Sequence, residues 1–356
     1  MKKIIFIILG LLLIMVISGA VFYNNSLSPA GTSKDVVTFE VKSGMTSKEI
    51  LSELHKDGLI KNEFVSYLYV KHNNINNLQA GTYNLNKGMG LKEIVDIISK
   101  GETIDNSISL TFIEGKRVKK FAEVISKEYD YTEDEILNKW KDKEYLNKLI
   151  NKYWFLTEDI LNENLYYPLE GYLYPDTYRF EKDATVEQIT EKLLDTMGNY
   201  LEEYRNGIDN NKYVNSIHKI LTMASIVELE GAKSDDRAGI AGVFFNRLQD
   251  GWNLGSDVTT YYAAQIDFTD RDLTQAELDD VNAYNTRSSA MAGKLPVGPI
   301  CNPNIESIKA VINPKQNDYY FFVADKNGKT YFSKTNGEHE TIISDLKNKG
   351  LWYTYS

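Results

Sequence analysis

The stretch HKILTMASIVELEG, His218 to Gly231, constrains this chain more than any other. It has no breaker before its last residue. At 3.6 residues per turn, Ile217, Ile220, Leu221, Met223, Ala224, Ile226, Val227 and Leu229 wrap apolar surface nearly all the way round. A helix apolar on every side is stable only when other elements enclose it, so the rest of the fold has to be built around this segment. Two carboxylates, Glu228 and Glu230, are set into it. Enclosure in a low dielectric raises a carboxyl pKa toward the range a general acid needs.

Residues two apart on a helix point about 200° from each other, so Glu228 and Glu230 cannot face one pocket as an acid and nucleophile pair. Spacing sets Glu228 near the middle of the stripe of Ile217, Ile220, Leu221, Ala224 and Val227, and Glu230 on the side of Met223 and Ile226. Periodicity therefore makes Glu228 the more buried of the two, which is not the same as facing a cleft. The plainer reading is that both are helix-end carboxylates paired with a distant arginine.

Near the N-terminus, Lys2 and Lys3 precede an uncharged run from Ile4 to Phe22, long enough to span about 30 Å of hydrocarbon as a helix. The positive-inside rule then leaves the rest of the chain outside the cytoplasm, with residues 1–23 as a membrane anchor. A cleaved signal peptide is the alternative, since Ser18–Gly19–Ala20 resembles a cleavage site. The apolar run continues past that site, which favours the anchor. Residues 24–35, rich in Ser, Asn, Gly and Pro, read as a linker.

The 356 residues, 42% hydrophobic and 25% charged, suit ordinary globular domains, and the net charge of −10 argues against nucleic acid as a partner. Cys301, the single cysteine, forbids an internal disulfide and reads as a small buried or turn residue rather than a nucleophile. His55, His72, His218 and His339 are too scattered for a zinc spacing, and no phosphate-binding or dinucleotide loop occurs, so neither metal nor cofactor is implied.

The fold class is α+β. Residues 36–103 read as a small module: alternating Val37, Phe39 and Val41 form a strand, and Thr46 and Glu49 form a capping box opening a helix. A second helix over EFVSYLYVKHN, a strand near Gly81 and a helix stopped by Gly101 complete it. The pattern resembles LysM-like modules, which bind the amino sugars of cell-wall glycan; the alternative is a packing domain without a ligand. Residues 104–356 form a larger mixed domain. Its lysine- and glutamate-rich helices before Asn164 read as solvated faces, and YYPLEGYLYPDTYRF, Tyr166 to Phe180, offers tyrosines suited either to sugars or to packing.

Five segments, EGYLYPDTY, TMASIVELEGA, AGVFFNRLQDGWNLGSDVTTYYA, AYNTRSSAMAGKLPVGPICNPNIESIKAVINP and YYFFVADKNGKTYFSKTNGEHE, resemble in order the signature segments of the endolytic murein transglycosylase (YceG-like) family. The anchor followed by a LysM-like module resembles that family's layout as well. The resemblance implies a membrane-anchored enzyme that cuts nascent peptidoglycan strands between N-acetylmuramic acid and N-acetylglucosamine without water, leaving 1,6-anhydro-muramyl ends. It implies that the acid is the second glutamate of the pair, Glu230, against the periodicity that favours Glu228. It also implies partnership with peptidoglycan synthases in the membrane. Asp257, Thr259, Tyr284, Asn285 and Thr286 are the expected sugar-binding shell, each with an N-cap or turn role as its alternative. Gly231 stands where the family has Ser or Thr, and Gly255 where Gln is common. A non-catalytic wall-binding scaffold is the competing function.

Overall fold

The computed structural model describes residues 2–104, 107–231 and 234–352. The chain divides into two compact units, Met1–Ser107 and Ile108–Ser356.

The first unit opens with α1 (Lys2–Leu27), whose Phe6, Leu9, Leu12, Leu13 and Met15 are all exposed. Over Phe6–Leu27 it is long and apolar enough to cross a membrane. The helix runs to Leu27, into the stretch expected as linker, with the Ser26 hydroxyl turned back onto the Phe22 carbonyl. After it come β1 (Val37–Val41), α2 (Ser47–Lys56), α3 (Glu63–His72), β2 (Gly81–Leu85) and α4 (Leu91–Lys100). The strands pair antiparallel, Val37 opposite Leu85 and Val41 opposite Gly81, so that Phe39 and Val41 face inward with Tyr83 and Leu85. Thr46 and Glu49 form the capping box of α2, and Gly101 ends α4 in the left-handed conformation that glycine adopts without strain.

In the second unit β3 (Ser107–Thr111) pairs with β4 (Thr177–Glu181), and α5 (Val118–Glu128), α6 (Glu133–Lys139) and α7 (Lys143–Lys152) lie between them in sequence. Then follow α8 (Val186–Asp209), α9 (Ile217–Glu230), α10 (Ser234–Gln249), α11 (Asp257–Ala263), α12 (Gln275–Asp279) and α13 (Ile305–Ile312). An antiparallel hairpin, β5 (Phe321–Ala324) and β6 (Thr330–Ser333), and α14 (Asn336–Asn348) end the chain.

Helix α9, the segment apolar on every side, sits at the centre of this unit. It packs against α8, α10, α11 and α13, and every residue from Ile217 to Glu228 except Lys219 is buried. Ser216 caps it by accepting from the Lys219 amide. Thr222 and Ser225, polar groups inside the core, return their hydroxyls to the carbonyls of His218 and Thr222 and so leave no buried donor unpaired. Ile226 is wholly enclosed. Truncating it to alanine removes packed methyl groups from a site that cannot collapse, so Ile226→Ala is expected to cost about 2–5 kcal/mol, read as a lower denaturant midpoint at unchanged slope.

Candidate active site

The two glutamates at the end of α9 have opposite surroundings. Glu228 is buried and its oxygens are fully engaged. Oε1 accepts from Arg237 Nη2 at 2.9 Å, and Oε2 accepts from the Asn304 amide at 3.0 Å and from Ser307 Oγ at 2.7 Å. Arg237 in turn donates to Asn304 Oδ1. This carboxylate therefore closes the N-terminus of α13 and ties α9 to α10, where a helix dipole favours negative charge. It is the more buried of the pair, as periodicity indicates, and its arginine partner is nine residues away in sequence.

Glu230 is half-buried on the last turn of α9, with Oε1 accepting from Ser256 Oγ at 2.6 Å. Burial raises its pKa above the ordinary carboxyl value; the Ser256 bond works against that rise, Asp257 adds to it, and the Arg247 guanidinium opposes it. The group thus has one oxygen committed to a hydroxyl and an environment that favours its neutral form. A carboxyl shifted in that direction is a better proton donor than an exposed one at the same pH.

Arg247 and Ser256 were not among the residues expected from sequence. Arg247 donates through Nε to the Tyr320 carbonyl at 2.7 Å and through Nη1 to the Leu254 carbonyl, and its guanidinium lies over the Phe321 ring. It joins the β5 hairpin to the loop that delivers Ser256. The Asn-Arg-Leu segment was visible in the sequence, but only the folded chain brings that arginine beside Glu230.

Of the expected sugar-binding shell, Asp257 alone is exposed, paired with Arg287. Thr259, Asn285 and Thr286 are wholly buried and Tyr284 very nearly so. In this structure they form a brace beneath Ser256. Thr286 Oγ1 accepts from the Ser256 amide at 3.1 Å and lies 2.7 Å from Thr259 Oγ1. Asn285 Oδ1 accepts from Thr260 Oγ1, and its amide reaches the Asp280 carbonyl. The Tyr284 ring packs against Tyr166 and Tyr262. The aromatic stretch is likewise turned inward: Tyr172, Tyr174 and Tyr178 are buried, with the Tyr172 hydroxyl 2.8 Å from His218 Nδ1. Cys301 is buried, its thiol directed to the Ser225 carbonyl.

Both glycine departures have local causes. A Cβ at Gly231 would stand 2.7 Å from Arg237 Cγ and 2.9 Å from the Val227 carbonyl, so glycine lets Arg237 pass under the end of α9 to reach Glu228. Gly255 has φ +62°, a conformation costing other L-residues about 1–2 kcal/mol.

A third carboxyl, Glu170 of the EGYLYPDTY segment, is buried out of reach of solvent and was not singled out from sequence. Its Oε1 accepts from the Val118 amide at 2.8 Å and its Oε2 from the Tyr262 hydroxyl at 3.1 Å. Asn302 joins the same cluster, accepting from the Gly171 and Leu173 amides and exchanging backbone bonds with Gly115 and Lys116. Burial pushes the Glu170 pKa up to about 8, although the Val118 and Tyr262 bonds pull it back.

The central helix thus ends in two carboxyls of unlike kind, Glu228 engaged by three donors and Glu230 bonded through one oxygen. The YceG-like family pattern matches residues 39–345. The chain is 36% identical over 343 residues to a Bacillus subtilis (strain 168) protein named endolytic murein transglycosylase, covering 94% of this chain and 93% of that protein. A protein of the same name from Streptococcus pneumoniae (strain D39) is 31% identical over 92% of this chain, which spans 61% of the pneumococcal length. The crystal structure of a yceG-like protein from Listeria monocytogenes superposes with a TM-score of 0.61 at 34% identity, covering 87% of this chain and 100% of that one. This chain belongs to the YceG-like family.

Two stability measurements test this account of the site. Gly231→Ser is expected to lose about 1–3 kcal/mol in denaturant unfolding, because the new side chain displaces Arg237 from Glu228. The folded-state pKa of Glu170 lies above its unfolded value, so its contribution is complete below about pH 4.5 and is lost as pH rises through about 8. Glu170→Gln, which cannot ionise, is expected to lack that component: the fall in wild-type Tm between about pH 5 and 8 becomes shallower in the variant.

Proposed function

We propose that this protein is an endolytic murein transglycosylase, a lyase acting on peptidoglycan, with Glu230 as its acid. Its relatives of that name, aligned over nearly the whole chain, carry the function. The contrast between the two glutamates carries the choice of residue: Glu228 holds three donors and is closed off, whereas Glu230 is half-buried and bonded through one oxygen.

Ordinary glycosidases place two carboxyl groups across the scissile bond, to serve both the leaving group and water or a covalent intermediate. One carboxyl suffices when the attacking group belongs to the substrate. Neutral Glu230 protonates the glycosidic oxygen between N-acetylmuramic acid and N-acetylglucosamine as the bond to the anomeric carbon breaks. The resulting carboxylate takes the proton from the muramyl C6 hydroxyl as that oxygen attacks the anomeric carbon, giving a 1,6-anhydro end and returning the acid to its neutral form. Ser256 orients the carboxyl, and Thr259 and Thr286 hold Ser256 in place; in this reading Asp257, exposed beside it, is the member of the expected shell that meets the sugar.

In this reading α1 anchors the enzyme with its N-terminus cytoplasmic and the catalytic unit outside, near the synthases that make its substrate. The strand–helix–helix–strand order of β1, α2, α3 and β2 supports a LysM-like role in holding glycan. The test is product mass spectrometry on uncrosslinked glycan strands. The wild-type chain is expected to release anhydro-ended fragments, and Glu230→Gln, near-isosteric and unable to donate, to lose about 10²–10⁴-fold in rate while still binding strands. Reducing-end products would replace the lyase by a hydrolase, unreduced cleavage by the variant would remove Glu230 from the role, and binding without cleavage by wild type would leave a scaffold.

A further inference from the structure

A cavity of about 530 Å³ opens beside the last turn of α9. Leu229 and Val258, chain neighbours of Glu230 and Asp257, line it, which puts the cavity one residue along from the candidate acid on α9 and α11. Its far wall is the loop running into α5. Gly115 in that loop has φ +71°, and a Cβ on it would stand 3.4 Å from Leu229 Cδ2 and 3.7 Å from Glu228 Cγ. The loop is thus seated against the turn that carries Glu230, and bonds from Gly115 and Lys116 to Asn302 hold it there.

The charged groups on this wall are unequally committed. Arg117 donates to the Ile266 carbonyl at 2.7 Å and lies over the Tyr262 ring, and Lys120 is paired with Glu123. Among the described residues no ion pair engages Lys116, which is half-buried, or Lys119. The acids are differently placed: Glu123 is held by Lys120 and Lys127, Asp267 accepts from the Thr269 amide and hydroxyl, and Glu133 and Asp270 are solvent-exposed. What the cavity offers an incoming ligand is two ammonium groups without an ion pair among the described residues: Lys119, and Lys116, whose charge is felt by Asp267 and which is partly withdrawn from water beside Leu229, Val258 and Ile300, where a charge pair is stronger than on an open surface.

We propose that this cavity seats the acidic stem peptide of the muramoyl unit being cut, with Lys116 and Lys119 pairing its carboxylates. The proposal rests on the transglycosylase reading above. The chemistry follows from the substrate. The sugar whose anomeric bond breaks carries the peptide on its own C3 lactyl arm, so the stem leaves the ring close to the acid. A stem of four or five residues extends at most roughly 14–18 Å, and its carboxylates are the strongest anionic feature of the strand near the scissile bond. Seating the stem fixes which sugar sits over Glu230, and so which of the two alternating glycosidic bonds is cut.

The test compares the full chain in detergent with its Lys116→Gln/Lys119→Gln double variant on three uncrosslinked strands: with intact stems, with stem carboxylates amidated, and with stems removed by an amidase. The readout is the ratio of kcat/KM on intact-stem strands to that on the other two. Wild type is expected to favour intact stems, and the double variant to lose roughly five- to tenfold of that preference, more so at low salt. An unchanged ratio, or an equal loss on all three strands, would overturn the stem seat. If wild type makes anhydro products from none of the strands, the transglycosylase reading fails instead, and the stem seat with it.

Discussion

The buried carboxylate of Glu228 is the interaction on which the second unit depends. One side chain accepts from Arg237 Nη2 of α10 and from the Asn304 N-cap amide and Ser307 hydroxyl of α13, so three helices meet on two oxygens. Removing water from a carboxylate is costly unless every lone pair finds a donor, and a pair broken on one side leaves an uncompensated charge inside. The arrangement has to be complete to be stable. Its completeness accounts for Gly231, since any side chain there would stand in the path of Arg237.

With Glu228 taken up in this way, Glu230 is freed for a different use. It lies on the same helix end but two residues on, turned toward the loop of Ser256 and away from the α13 junction. The fold then spends a second layer of groups on that loop. Thr286 and Thr259 fix Ser256 from below, and Arg247 fixes Leu254 while contributing positive potential at Glu230. For the role proposed for Glu230, one layer sets the direction of the carboxyl and the other acts on its affinity for a proton. Glu170 and Asn302 perform the analogous task on the opposite side, holding the loop at Gly115 against the end of α9.

Much of the scaffold was legible because it follows from local rules. The capping box of Thr46 and Glu49, the glycine stop at Gly101 and the bounds of α9 depend on hydrogen bonds and periodicity within a few residues. The sugar-binding shell was legible only as positions. Thr259, Tyr284, Asn285 and Thr286 carry groups that suit sugars or turns alike, and their burial and hydrogen bonds around the Ser256 loop are set by segments distant in sequence. Glu170 was hidden for a related reason. A glutamate between leucine and glycine in a tyrosine-rich loop carries no sign that Val118 and Tyr262 will close over it.

By itself the sequence determined that a helix apolar on all sides must lie at the centre of a mixed α and β domain, that an apolar segment precedes it, and that two carboxylates would be carried at the end of that helix. These follow from the cost of exposing apolar surface and from helical geometry, which need no knowledge of neighbours. Tertiary structure alone decided which carboxylate would be spent on packing and which left facing Ser256. The reason is that a carboxyl group's role depends on the donors around it, and here those donors come from α10, α13 and the loop before α11, brought together only by the fold.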